Sequence, residues 1–422
     1  MSKAQKPSRA TVSTKKGSGR SAPATAELLL EIGVEELPYQ FISPALARLK
    51  ESAEQLLTEQ RLTFQAVKML GTPRRLTLVV EGLLTQQASV MKEAMGPSKT
   101  VAFDQAGQPT RAAVGFAAGQ GVAVQDLEVR QTPKGEYLFA VKREEGRPSK
   151  TVLMELLPQL VGKLSFPKAM KWNEAGVRFA RPVRWLVVLF GGTVLPIEAA
   201  GIKAGNRTRG HRVLGAKQGV VVRDGATYVK ALEKDGVIPD PERRRAIISE
   251  QIATLCEKTG FVLNQDDALL DQAVYTTEWP YAIIGSFKDM YLDVPEEILI
   301  TSMKEHQGFF SLRHKTTGKL VAHFIAVANN RVKDMGLIRE GNERVLAARL
   351  ADAKFFYDND RTTALQDRVG KLDGVTFHQK IGTMGQKQAR IATLAASLAR
   401  LAGLNESVVK SCERAGALCK AD

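Results

Sequence analysis

Basic side chains are densest between residues 163 and 212, where ten of them face only Glu174 and Glu198, a net charge of +8. Arginine binds phosphate through two parallel hydrogen bonds, and aromatic rings stack on unpaired bases. The stretch contains both residue types, which favours contact with single-stranded or looped RNA. The basic residues are Lys163, Lys168, Lys171, Arg178, Arg181, Arg184, Lys203, Arg207, Arg209 and Arg212, and the interleaved aromatic residues are Phe166, Trp172, Phe179 and Trp185.

Each part of this stretch also has a purely structural interpretation. The aromatic residues can be core and the arginines merely solvated, and for the two tryptophans we favour the core. For the loop 206–212 we favour binding, because several like charges in a glycine-flanked loop repel one another and an anionic partner relieves that repulsion. The candidate RNA-binding residues are Arg74, Arg75, Lys171, Arg181, Arg184, Arg207, Arg209, His211 and Arg212.

The adjacent carboxylates Glu35 and Glu36 are candidates for acid/base chemistry. Neighbouring residues after a strand usually point apart, so a shared reaction centre is disfavoured. A helix N-cap or a subunit interface is the preferred role for the pair. Residues 339–371 carry charges of both signs, which predicts an ion-paired helix surface rather than a site. His306, close to two phenylalanines, is predicted to be packed.

Several catalytic fingerprints are missing from the sequence. It contains no G-x-x-x-x-G-K-[ST] loop and no G-x-G-x-x-G after a strand, so no nucleotide-binding motif can be identified. It also lacks a G-x-S-x-G elbow and an H-E-x-x-H helix. The three cysteines, Cys256, Cys412 and Cys419, form no C-x-x-C pair, which predicts structural thiols in a reducing compartment and no metal site. No catalytic residue is therefore assigned.

Composition indicates a folded, basic protein. The chain has 422 residues, 44% of them hydrophobic, and a net charge of +15. That charge favours a polyanionic partner such as nucleic acid or anionic lipid, although solubility alone is an alternative. Residues 1–26 show no secretory signal and are predicted to be a disordered basic extension. No apolar run is long enough to span a membrane, so we expect a soluble intracellular protein.

Hydrophobic periodicity predicts an α+β fold of several domains. We expect α+β regions at 27–200 and 201–330 and a helical region at 331–422. The end of the chain has no capping or turn signal, which suggests a truncated protein. Strands are predicted at 28–32, 64–70, 76–84, 136–143, 184–190, 281–286 and 322–328, helices at 41–60, 152–164, 346–356, 387–401 and 408–419, and a loop with a small helical unit at 96–120.

Seven ordered segments resemble the beta subunit of bacterial-type glycine–tRNA ligase (glycyl-tRNA synthetase). Together they extend from residue 28 to residue 384, and the resemblance spans residues 28–422. Their order makes the match far more specific than any single motif. The segments are LLLEIGVEELP (28–38), GTPRRL (71–76), FPKAMKW (166–172), FARPVRWL (179–186), TRGHR (208–212), GNERVLAARLADAKFF (341–356) and QKIGTM (379–384).

The resemblance implies an α₂β₂ assembly in which the alpha subunit carries the catalytic centre and binds ATP and Mg²⁺. This chain would bind tRNA(Gly), hold no cofactor itself and work in the cytoplasm, with neither DNA nor a membrane as partner. It also implies that the middle region is similar to the B3/B4 module of phenylalanine–tRNA ligase and that the last residues enter a truncated HD-like domain. Two alternatives stay open: a structural scaffold for the alpha subunit, and an editing hydrolase module.

Overall fold

The structure, a computed structural model, describes residues 24–421. The chain divides into two compact units. The described part of unit 1 comprises residues 24–246 and 274–279, and that of unit 2 comprises 247–273 and 280–421. The observed mixture of helices and sheets confirms the predicted α+β, multi-domain class.

Unit 1 is organised around one mixed sheet whose strand order is β2-β3-β1-β7-β10-β9, with β8 paired to β7. The long central strand β1 is antiparallel to both β3 and β7. Its register places Glu31 opposite Thr77 and Val187, and Gly33 opposite Arg75 and Trp185. The strands are β1 (Thr25–Val34), β2 (Ala66–Thr72), β3 (Arg75–Leu84), β7 (Val183–Phe190), β8 (Thr193–Val194), β9 (Glu198–Ala199) and β10 (Ile202–Gly205).

The two faces of this sheet are covered differently. Two helices, α1 (Tyr39–Glu59) and α4 (Ser149–Gly162), pack their apolar side chains against one face and form the main core. The other face has a smaller apolar cluster that includes residues of helix α5 (Gly225–Lys234). The short strands β11 (Arg207–Thr208) and β12 (Val220–Val221) pair with each other beside this cluster. Because both faces are covered, β7 is almost continuously apolar.

A small three-stranded module is inserted between β3 and α4. Its strand order is β4-β6-β5, and its core contains Ala102, Ala113 and Leu138. The chain enters and leaves the module at adjacent positions, where Gln86 and Pro148 form an isolated bridge. The elements are β4 (Val90–Ser98), α2 (Lys99–Ala102), α3 (Arg111–Gln120), β5 (Leu127–Thr132) and β6 (Gly135–Glu144).

The division between the units falls within helices α6 (Pro241–Thr259) and α7 (Asp267–Thr276). Unit 2 contains a four-stranded sheet of order β13-β15-β16-β14. Helices α8 and α9 pack on this sheet through an apolar cluster, and α11 packs on α12. The elements are β13 (Phe261–Leu263), β14 (Tyr281–Ser286), α8 (Glu296–Gln307), β15 (Phe310–His314), β16 (Leu320–Ala328), α9 (Met335–Thr362), α10 (Leu365–Arg368), β17 (Thr376–His378), β18 (Gly382–Thr383), α11 (Met384–Leu401) and α12 (Glu406–Leu418).

The predicted elements correspond to observed ones, with several differences. Phe356 shares the helical spacing of Leu346 and Leu350, but it is 62% exposed, whereas the two leucines are buried. The predicted loop at 96–120 begins inside β4, because that strand pairs with β6 as far as Ser98. The predicted boundary at 200/201 does not coincide with the division between the units, since β10 pairs with β7 of the main sheet.

Most of the predicted N-terminal extension precedes the first residue that the structure describes. The basic extension at 1–26 lies outside the described residues except for 24–26, where β1 already begins at Thr25. Between residues 24 and 421, no helix has the length and apolar character needed to cross a membrane.

Candidate nucleic-acid interface

Unit 1 contains a cleft of about 530 Å³ where β1 ends beside the loop that follows β11. Five of its fifteen lining residues are Arg or Lys, and Glu35 is the only acidic residue among them. The cleft therefore has the charge expected of a phosphate site. The lining residues are Val34, Glu35, Arg74, Trp185, Arg207, Thr208, Arg209, Gly210, His211, Arg212, Gly215, Ala216, Lys217, Gln218 and Gly219.

Two buried arginines fix the backbone of the loop. Arg75 is fully buried, and its Nη2 donates to the carbonyl oxygen of Arg209 at 2.9 Å and to Glu278 Oε1 at 3.2 Å. Arg74 is 6% exposed and donates through both terminal nitrogens to the carbonyl oxygen of Gly210, at 3.3 and 3.2 Å. These bonds hold residues 209 and 210 against the sheet.

Glu278 compensates the two buried guanidinium groups. Its Oε2 lies 3.4 Å from Arg74 Nη1, and its Oε1 also accepts from Thr72 Oγ1 at 2.7 Å. Burial lowers the pKa of Arg74 despite the opposing effect of Glu278. Burial would likewise lower the pKa of Arg75, but the carboxylates of Glu278 and Glu31 outweigh it and raise the pKa. Arg75 is therefore a permanently charged interior group.

Trp185 is part of the support beneath the loop. Its Nε1 donates to Glu31 Oε1 at 2.9 Å, and Thr208 Oγ1 donates to the same oxygen at 2.6 Å. A Cβ added to Gly33 would overlap the indole ring, so this strand position requires glycine. The Arg209 guanidinium lies over the ring at 5.0 Å from its centroid. The ring is 8% exposed, which confirms the core interpretation of Trp185.

Close backbone packing shapes the rest of the loop. A Cβ on Gly210 would overlap the carboxylate of Asp235, whose two oxygens accept from Ala216 N at 2.9 and 3.1 Å. His211 N donates to the carbonyl oxygen of Asp235 at 2.9 Å. His211 itself is 4% exposed, and its Nδ1 accepts from the backbone N–H groups of Val213 and Leu214. The imidazole therefore stabilises the turn.

Four cationic side chains remain exposed around the cleft: Arg207, Arg209, Arg212 and Lys217. Arg207 Nη1 donates weakly to the carbonyl oxygen of Gln218 at 3.4 Å. The backbone that carries these side chains is held by buried bonds while their charged ends reach solvent. Such an arrangement can bind phosphate groups at little cost in ordering the chain.

The carboxylates that follow β1 pair with cations at this cleft. Glu35 Oε2 accepts from Arg212 Nη2 at 2.9 Å, and Glu35 Oε1 lies 3.3 Å from Arg184 Nε. Glu36 Oε1 lies 3.6 Å from Arg212 Nη1. The repulsion expected among the arginines is thus partly relieved within the chain. The role of Glu35 and Glu36 at a subunit interface stays a prediction.

The structure brings only part of the predicted RNA-binding set to the surface of the cleft. Arg207, Arg209 and Arg212 are there, and Arg184 pairs with Glu35 nearby. Arg74, Arg75 and His211 are buried and bind backbone or carboxylate groups, and Arg74 and His211 also line the cleft. Their role in RNA binding stays a prediction. Lys171 and Arg181 are exposed but do not line the cleft.

Some residues of the site were missed by sequence reasoning. Lys217 and Gln218 line the cleft but lie beyond the dense basic stretch. Glu31 had a recognisable signal, since a carboxylate inside an apolar strand requires a buried partner. Glu278 had no recognisable sequence signal, because it reaches the two buried arginines from a segment 203 residues after Arg75. Among residues 24–421, no group of three or more His, Cys, Asp or Glu side chains could hold a metal ion.

The amino-acid sequence of the chain is similar to the sequences of known proteins. The family model "Glycyl-tRNA synthetase beta subunit" matches residues 28–422. A glycine–tRNA ligase beta subunit of Trichlorobacter lovleyi is 46% identical over 396 residues, which is 94% of this chain and 57% of the relative. The glycine–tRNA ligase beta subunit of Moorella thermoacetica is 45% identical over 398 residues, which is again 94% of this chain and 57% of the relative.

These matches cover nearly the whole chain and point to subunits of a tRNA ligase. The chain belongs to the glycyl-tRNA synthetase beta-subunit family. It spans 57% of the length of the curated relatives it matches.

Proposed function

We propose that this chain is the tRNA-binding part of a glycine–tRNA ligase beta subunit and that it holds tRNA(Gly) at the cleft described above. The observation that carries the proposal is the cluster of exposed cations, Arg207, Arg209, Arg212 and Lys217, on a backbone fixed by buried bonds. Phosphate contacts of this kind release counterions and supply a large share of the affinity of proteins for nucleic acid.

In the complete enzyme, the chemistry takes place on another subunit. The alpha subunit binds ATP and Mg²⁺ and catalyses the attachment of glycine, and the two subunits form an α₂β₂ assembly in the cytoplasm. The names of the curated relatives, glycine–tRNA ligase beta subunit, support this division of labour. This chain positions the tRNA and contributes no catalytic residue.

The cleft is suited to the RNA backbone rather than to its bases. Trp185 is 8% exposed and Phe179 is fully buried, so neither ring has a free face for a base. The exposed groups are guanidinium and ammonium ions, which bind phosphate oxygens. Phosphate contacts fix the register of a nucleic acid without reading its sequence. The cleft therefore orients tRNA(Gly), and the nucleotides that distinguish this tRNA from others are recognised at another site.

The proposal is tested by measuring tRNA(Gly) affinity as a function of salt for Arg207→Ala/Arg209→Ala/Arg212→Ala. We expect weaker binding and a log–log salt slope reduced by about two to three units, roughly one for each lost phosphate contact. The matched control is Arg111→Ala/Lys134→Ala/Lys150→Ala, which removes the same charge from exposed positions outside the cleft. Equal affinity of the two variants would contradict the choice of site.

A further inference from the structure

Glu35 has an unusual position for an acidic residue. It is the only carboxylate among the residues that line the basic cleft. It accepts from Arg212 at 2.9 Å and lies 3.3 Å from Arg184, so it contacts two cations at once. Its own backbone N–H donates to the carbonyl oxygen of Pro182 at 3.1 Å, which fixes the residue just beyond the end of β1.

The geometry of this pairing resembles the way a phosphate oxygen would be held. Two cations approach the two oxygens of one carboxylate from different parts of the chain, and Arg184 and Arg212 are 50% and 58% exposed. Ion pairs this exposed are weak and exchange readily. A phosphodiester group of the RNA backbone has two non-bridging oxygens that share one negative charge, as a carboxylate does, so it can take the place of Glu35 between the two arginines.

We propose that Glu35 is an internal competitor for phosphate: it occupies Arg184 and Arg212 while the cleft is empty and is displaced by the RNA backbone. This inference rests on the proposed function. Every polyanion that enters must break the same two ion pairs and face the Glu35 charge. A ligand that also reaches Arg207, Arg209 and Lys217 recovers this cost, whereas a polyanion with fewer contacts does not. Glu35 thus lowers the affinity of the cleft for every polyanion by about the same factor, and polyanions that make few other contacts stay unbound.

Glu36 provides a matched control because it has the same chemistry at the next position. It lies 3.6 Å from Arg212, is 60% exposed and is not among the lining residues. Glu35→Gln and Glu36→Gln change the net charge of the protein equally. Any difference between them therefore reflects position rather than overall charge.

The test compares the binding of tRNA(Gly) and of polyuridylate to the 422-residue chain and to both variants. We expect Glu35→Gln to raise tRNA affinity about threefold to tenfold, the fold-change equivalent of two weak exposed ion pairs. Its affinity for polyuridylate should rise by a similar factor, because both RNAs displace the same two ion pairs. Glu36→Gln should leave both affinities nearly unchanged.

Three outcomes would overturn the inference. The first is unchanged or weaker binding by Glu35→Gln, which would mean that the carboxylate orients the arginines for the ligand. The second is an equal gain in both variants, which would be a general charge effect. The third is a gain for tRNA(Gly) with no gain for polyuridylate, which would mean that Glu35 does not compete with the RNA backbone. If Arg207→Ala/Arg209→Ala/Arg212→Ala also binds tRNA(Gly) unchanged, the proposed function itself fails. If this triple variant binds more weakly but Glu35→Gln shows no gain, the proposed function stands and only the role of Glu35 as a competitor fails.

Discussion

Arg75 and Glu278 lie 203 residues apart in the sequence, yet Nη2 of the first is 3.2 Å from Oε1 of the second, and neither side chain is more than 2% exposed. This ion pair joins the first residue of β3 to the short segment 274–279 inside unit 1. It also bears on the cleft, because Arg75 donates to the carbonyl oxygen of Arg209. Stability and site geometry therefore depend on the same buried charges.

Glu278→Gln should strongly destabilise unit 1, because it leaves the Arg75 charge buried without its main partner. Breaking a buried pair in this way costs about 3–5 kcal/mol. Chemical denaturation of the variant should show the loss. The control is Glu136→Gln, which breaks the exposed pair with Lys99 and should cost less than about 1 kcal/mol. Equal losses would show that burial of the pair contributes nothing.

Gly33→Ala should displace the Trp185 indole, because the added Cβ would overlap the ring. We expect a loss of about 1–3 kcal/mol in the free energy of unfolding. The tryptophan fluorescence should change and RNA affinity should fall, since Trp185 and Thr208 share Glu31. Gly205→Ala is the matched control, as a Cβ there meets nothing within 4 Å. An unchanged fluorescence spectrum in Gly33→Ala would contradict this account.

Tyr228 should resist ionisation in the folded protein. Burial raises the pKa of its hydroxyl well above the ordinary value, and the nearby Glu31 carboxylate adds to the effect. The unfolded chain ionises this group near pH 10 while the folded chain does not, so its stabilising contribution is complete below pH 10 and falls as pH rises further.

Alkaline difference spectroscopy should therefore find one of the seven tyrosines protected until the protein unfolds. Tyr228→Phe should abolish that protected fraction and weaken the alkaline loss of stability. Its Thr77 partner, at 2.9 Å, then loses a hydrogen bond, so a modest destabilisation at neutral pH is expected as well. A protected tyrosine that persists in Tyr228→Phe would assign the effect to another residue.

Local patterns were sufficient to predict many of the elements. The strand at 281–286 coincides with β14, and the apolar run after Trp185 forms β7, because a strand covered on both faces must be apolar throughout. Phe356 shows where such reasoning fails. Helical spacing placed it with Leu346 and Leu350, but periodicity alone cannot say how far along a helix the neighbouring core extends.

The candidate site was predictable only in part. The sequence identified the loop that carries Arg207, Arg209 and Arg212, because its charge density is unusual. It could not separate these residues from Arg74 and Arg75, since a surface arginine and a buried one have the same sequence signal. The difference arises from Glu278, whose approach depends on how the chain returns to unit 1 after residue 273.

The three-stranded module between β3 and α4 is joined to the rest of unit 1 at two points of the chain that are adjacent in space. Gln86 and Pro148 form a bridge where the module begins and ends, and Gln87 N donates to the carbonyl oxygen of Arg147 at 3.0 Å. The two ends are thus already closed together, and joining them by a short turn costs little chain entropy. We therefore expect that a short turn can replace the module without displacing the strands of the sheet that carries the cleft.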